Sequence, residues 1–162
     1  MATQNIVQYL ETTQYFADQR DGSTTSIGPE AMNRRQIETF IAGGVIAAND
    51  LVCLDLSATG LGTQGITVVK ADTTSNATTI VVGFALEAAA AAGDTVDVTI
   101  AGLHESGNVD TAIGNVPGAR LAASNTAGEA ALYANSDTLP IIGYCMGDAT
   151  SGVTSVFVIK QM

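Results

Sequence analysis

The chain has 162 residues, 46% hydrophobic but only 5% aromatic, and its 16 acids against 6 bases give a net charge of −10. That length holds one compact domain plus an extension, and the charge excludes a binder of nucleic acid, which needs clustered Lys and Arg to neutralise phosphates. It also argues against an anionic membrane surface, and no apolar stretch approaches the ~20 residues of a spanning helix.

Apolar residues are mostly Val, Ile, Leu and Ala, in short runs separated by Thr, Ser, Asn and many of the 17 Gly. β-branched residues pack well on pleats, and Gly supplies turn dihedrals. The expected class is all-β: a compact β-barrel or sandwich of about eight short strands, preceded by an extended N-terminal arm.

In chain order, residues 1–44 form the arm and residues 45–162 the β domain, with the division at Gly43-Gly44. The opening Met1-Ala2-Thr3-Gln4-Asn5 lacks the basic and apolar regions of a secretory signal, so assembly in a cytoplasm is expected. The arm carries two apolar clusters, Ile6 to Leu10 with Tyr15 and Phe16, then Met32 to Ile41; the stretch between them, Asp21 to Pro29, reads as irregular loop. Ile6, Leu10 and Thr13 permit a short helix, but no apolar stripe is sustained. Half of the aromatics (Tyr9, Tyr15, Phe16 and Phe40) fall in this polar segment. Two readings follow: a locally packed terminus, or an arm that lies on a neighbour with its rings as anchors.

Beyond Gly44, strand signals alternate with turn signals. The candidates are 51–56, 66–71, 79–86, 95–101, 119–123, 130–134, 139–146 and 153–160. Val96, Val98 and Ile100 alternate with Asp97, Thr99 and Ala101, as a half-buried strand requires. Val156 and Val158 alternate with Phe157 and Ile159, which predicts a strand buried on both faces. The run Ala88–Ala92, closed by Gly93-Asp94, reads as a single helical turn. An offset of 60 residues superposes Val81-Val82-Gly83-Phe84-Ala85-Leu86 on Ile141-Ile142-Gly143-Tyr144-Cys145-Met146, and Val96 and Val98 on Val156 and Val158. The sequence leaves open whether this is a true duplication or two similar strands.

The search for chemistry finds little. Asp50, Asp55, Asp72, Asp94, Asp110, Asp137 and Asp148 are spread through turns without the close pairing that separates catalytic carboxylate pKa values. His104 is the single histidine, and Glu105 beside it would point to the opposite face of a strand. It reads as a surface or loop histidine. Cys53 and Cys145 each sit inside an apolar run, as buried reduced thiols do, and their spacing suits no zinc site. Gly60-Leu61-Gly62-Thr63-Gln64-Gly65 has a G-x-G-x-x-G spacing, but no helix pattern follows it. No Cys/His dyad or G-x-S-x-G elbow is present. The expectations are no enzyme, no cofactor and no metal.

Three segments resemble the small β capsid decoration, or cement, proteins of tailed bacteriophages. Val45-Ile46-Ala47-Ala48-Asn49-Asp50-Leu51-Val52 is close to the family's V-x-A-G-D-x-V, with Asn49 where Gly is common. Val81 to Val98, through Gly83, the Ala88–Ala92 run and Gly93-Asp94, looks like V-G-x-A-L-x-A-A-A-A-G-D-x-V-x-V. Ile142-Gly143-Tyr144-Cys145-Met146 resembles a degraded copy. The resemblance covers about two-thirds of the chain, and the arm is longer than in simple members.

The resemblance implies a compact β domain, commonly a homotrimer, that sits on the outer surface of a capsid and bridges neighbouring major capsid proteins. On that reading Tyr9, Leu10, Tyr15, Phe16 and Phe40 are the capsid-contacting anchors, and Arg34 and Arg35 pair with acids of the partner. The alternative is a β domain of a virion appendage or adhesin that binds carbohydrate or a host surface. That reading would need exposed aromatics, whereas Phe84, Tyr133, Tyr144 and Phe157 mostly fall in strand signals that look buried.

Overall fold

The alternation Val96-x-Val98-x-Ile100 does build a strand, and that strand runs well past the expected end at Ala101 to organise the whole chain. The structure, a computed structural model, describes residues 35–58, 65–73, 80–134 and 139–161. Within them lie nine strands: β1 (Gln36–Ala42), β2 (Leu51–Leu54), β3 (Thr67–Lys70), β4 (Val81–Ala85), β5 (Thr95–Asn108), β6 (Arg120–Ala123), β7 (Ala130–Leu132), β8 (Gly143–Cys145) and β9 (Val153–Val158). A single 3-10 turn follows β5 at Thr111–Ile113, its first turn capped by the Asp110 carboxylate. The all-β expectation holds, and each of the eight predicted segments contains a strand.

The strand order is β1-β3-β2-β4-β5-β9-β8-β6-β7, and β1 also pairs with β5. The first five strands therefore close into a barrel, which removes their free edges. Only β1 and β3 run parallel. β5 has 14 residues: its first half completes the barrel against β1 and β4, and its second half carries β9 and the outer strands.

Two apolar clusters fill this arrangement. One gathers Phe40, Val52, Leu54, Val68, Val82, Val96, Val98 and Ile100 inside the barrel. The other joins Leu51, Cys53, Val81 and Phe84 to Leu121, Ile142, Cys145, Val156 and Val158. β2 thus sends alternate residues into different cores, which is why all four of its residues are buried. Each fully buried Val, Leu or Phe contributes roughly 1.5–3 kcal/mol. Cys53 and Cys145 are buried free thiols, as expected, and burial pushes the Cys53 thiol up to about 12.

Three expectations need correction. The arm was to extend to residue 44, but β1 is a barrel strand. Phe40 lies opposite Val96 and is only 5% exposed, so it is core and not an anchor in a free arm. The polar residues before it (Gln36, Glu38 and Thr39), which lie on both faces of the strand and are half-buried or exposed, broke the alternation that would have marked it. The Ala88–Ala92 run forms no helical turn. The Asp94 carboxylate accepts the amides of Ala90 and Ala91, and Ala89 makes a β-bridge with Ile46 instead. Finally, β9 is not buried on both faces: Val156 and Val158 are buried, but Phe157 is 45% exposed.

The 60-residue repeat has a structural counterpart with a difference. β4 and β8 each pair antiparallel with the later Val-rich strand, β5 and β9 respectively. In both, the glycine lies tight against that strand. A Cβ on Gly83 would come within 1.9 Å of the Thr99 carbonyl oxygen, and one on Gly143 within 2.4 Å of the Phe157 oxygen. Yet Phe84 faces Thr99 whereas Tyr144 faces Phe157, a register two residues short of exact superposition. A shift of two keeps every side chain on its face, so the buried valines correspond despite it.

Candidate functional site

Two groups of residues stand out from the apolar framework: a buried polar joint and an exposed aromatic row. The joint begins at Asn49, whose φ of 70° is left-handed. Asn tolerates that conformation almost alone among residues with a side chain, which accounts for its standing where the resembling family has Gly. Asp50, next to it, is buried and accepts three charge-assisted or polar contacts. They come from the Ala47 amide at 2.8 Å, Asn108 Nδ2 at 2.9 Å and Lys70 Nζ at 2.8 Å. Asp50 therefore ties the turn before β2 to β3 and to the end of β5.

His104 belongs to the same joint. The expectation of a surface histidine is wrong: it sits on β5, 2% exposed, because the strand continues past Ala101 and turns this residue inward. Its Nδ1 lies 3.1 Å from Thr99 Oγ1 and its Nε2 3.2 Å from Asn49 Oδ1. A neutral ring that donates from Nε2 to Asn49 and accepts from the Thr99 hydroxyl satisfies both contacts. The ring stacks on Phe84 with centroids 5.3 Å apart. Burial first, and the positive charge of Arg35 second, push its pKa down to about 4. With both nitrogens engaged and the ring 2% exposed, His104 serves to hold the joint together.

The second group lies on the open face of the outer strands. Cross-strand partners share a face, so the pairs Leu103–Phe157, Phe157–Tyr144 and Tyr144–Arg120 form one rung across β5, β9, β8 and β6. The Tyr133 amide bonds to the Arg120 carbonyl and extends the rung past β7; the Arg120 guanidinium stands 5.7 Å from the Tyr133 ring centre. Met146, whose amide bonds to the Ser155 carbonyl, adjoins it. Tyr144 is 38%, Phe157 45% and Met146 51% exposed. The expectation that the domain's aromatics are mostly buried is thus corrected: of the four, only Phe84 is core. Sequence reasoning took apolar neighbours as a sign of burial, although Ser155, two residues from Phe157 and hence on its face, marked that face as solvated.

A surface groove of about 730 Å³ lies on the barrel between Gly43–Ile46, Asp55–Ser57 and Val69–Asp72. Of its charged groups, Lys70 pairs with Asp50, and Asp55 accepts from the amide and hydroxyl of Ser57. Among the described residues no three of His, Cys, Asp and Glu gather as a metal site would require. The Gly60–Gly65 spacing falls largely outside the described residues.

Of the residues expected to touch a capsid, Tyr9, Leu10, Tyr15, Phe16 and Arg34 lie outside the described residues. Arg35 directly precedes β1, and Phe40 is in the barrel core. The row on the outer strands was not anticipated at all.

No protein-family model matches the chain, and no curated protein aligns with it closely enough to count as a relative. Among solved structures, the chain is similar in fold to the head fiber gp8.5 N base of bacteriophage phi29, with a TM-score of 0.51 and 18% identity over 77% of this chain and 94% of that one.

Proposed function

We propose that this chain is a structural protein of a tailed-phage virion, a decoration or cement protein. It binds the outer surface of the assembled capsid and stabilises it by bridging neighbouring major capsid proteins. The observation that carries this reading is the likeness in fold of 77% of this chain to a base module whose own description places it in a phage head fiber. The resemblance of the Val45–Val52 and Val81–Val98 segments to capsid cement proteins points the same way. A protein that binds only the assembled lattice stabilises it by mass action. If it associates as a homotrimer, three weak contacts combine, because each later one is intramolecular. The segment before β1, with Tyr9, Leu10, Tyr15 and Phe16, adds anchors in this reading.

The test is sedimentation of the full chain with purified capsids of the phage that encodes it. Saturable binding in numbers comparable to the major capsid protein supports the reading; absence of binding refutes it. In the full chain, replacing Tyr9, Leu10, Tyr15 and Phe16 by Ser separates the arm's share. A deletion through residue 42 would not, since it removes β1.

The exposed aromatic row favours one second reading, a domain of a virion appendage that binds carbohydrate. Binding of the full chain to host-surface polysaccharide, unaffected by capsids, would select it.

A further inference from the structure

We infer that the row formed by Leu103, Phe157, Tyr144 and Arg120, with Met146 beside it, is the surface through which the β domain docks on its protein partner. This inference rests on the capsid-binding reading and names the part of the domain that performs it.

Composition is the first argument. Isolated apolar residues on a surface mean little, but a contiguous exposed group on one face marks an interaction site. Protein interfaces are enriched in aromatic residues, Met and Arg, and these are the residue types that the row presents.

Charge is the second. Four bases fall among the described residues, and Lys70 is held by Asp50. Two of the others, Arg120 and Lys160, border the row. Arg120 is part of it. Lys160 follows Phe157 by three residues and donates to Gln36 Oε1. Against them the same face carries Glu105, and Glu38 accepts from Gln36. On a chain of net charge −10, two of the four bases among the described residues thus stand at this face. The fitting partner is a protein surface of aliphatic side chains rimmed by carboxylates.

Placement is the third. Gln36 lies opposite Ala101, two residues before Leu103. The 34 residues that precede Arg35 therefore join the domain at the β5–β9 end of the row. A partner that received the row would lie within reach of that segment too.

The experiment compares the full chain with a Tyr144→Thr/Phe157→Thr double variant and with Arg120→Glu. Both residues of the double variant are solvent-facing on strands, where Thr is well accommodated. The probe is the purified capsid used above. The expected result is a loss of affinity of about 30-fold or more in the double variant, as for central aromatic anchors. Arg120→Glu should weaken binding and flatten its dependence on salt. Melting temperature and sedimenting mass should stay at wild-type values throughout. Equal affinity of the double variant, with wild type binding, overturns the inference and leaves the capsid reading intact. No binding by wild type overturns both. A fall in sedimenting mass identifies the row as a contact between copies of this chain, and loss of polysaccharide binding identifies a glycan site; either overturns the inference. Should the double variant melt early, the single Phe157→Thr variant carries the same comparison.

Discussion

Replacing His104 by Gln removes a buried group whose protonation should couple folding to mild acid. Its folded-state pKa is about 4 against an ordinary 6.5, lowered by burial and by Arg35. Between those values the unfolded chain binds a proton that the native ring refuses. Stability therefore falls as pH falls from about 6.5 to about 4, and this group adds nothing further above or below that window. The full difference corresponds to about 3 kcal/mol. Urea unfolding at pH 7.5, 6.5, 5.5 and 4.5 should show the wild type losing about 2.5 kcal/mol more than His104→Gln, since pH 4.5 stops short of the end of the window. The variant starts lower, by about 1–3 kcal/mol, because Thr99 and Asn49 lose their partner. Carboxylates titrate in both proteins and drop out of the difference. Parallel curves for the two proteins would refute the reasoning, and would mean that the ring is reached by water in the native state.

Two further predictions test the packing. Phe40→Ala should cost about 3–5 kcal/mol in the same assay, the price of a cavity in the barrel core; a negligible loss would return Phe40 to the arm. Gly83→Ala places a methyl 1.9 Å from the Thr99 carbonyl and should cost more than about 2 kcal/mol, or prevent folding, whereas Gly44→Ala, with nothing within 4 Å, should leave the midpoint unchanged.

Much of the architecture was legible because it is written locally. Alternation in Val96-x-Val98-x-Ile100 and turn residues between apolar runs located eight strands. Asp94 and Asp110 proved to be turn and cap residues, as their setting implied. The ninth strand escaped because Gln36, Glu38 and Thr39 put polar residues on both of its faces and erased the alternation, and the whole segment was assigned to the arm. His104 was misplaced for a related reason. The residues after Ala101, from Gly102 to Asn108, lack clean alternation, since the pairing of β5 with β9 shifts register between His104 and Gly107. Asp50 looked like one turn acid among several, and nothing nearby in sequence announces Lys70 or Asn108 as its partners.

The aromatic row shows where sequence reading ends. By itself the sequence determined the β class, the strand positions and which residues alternate, because backbone preference and side-chain period act over a few residues. Only the tertiary structure decided which face of each strand is covered. That depends on neighbours supplied from far along the chain. β2 has a core on both sides, and β9 on one alone. Phe157 and Tyr144 are as apolar as the residues beside them, and they are exposed because, among the described residues, no second layer of strands lies over theirs.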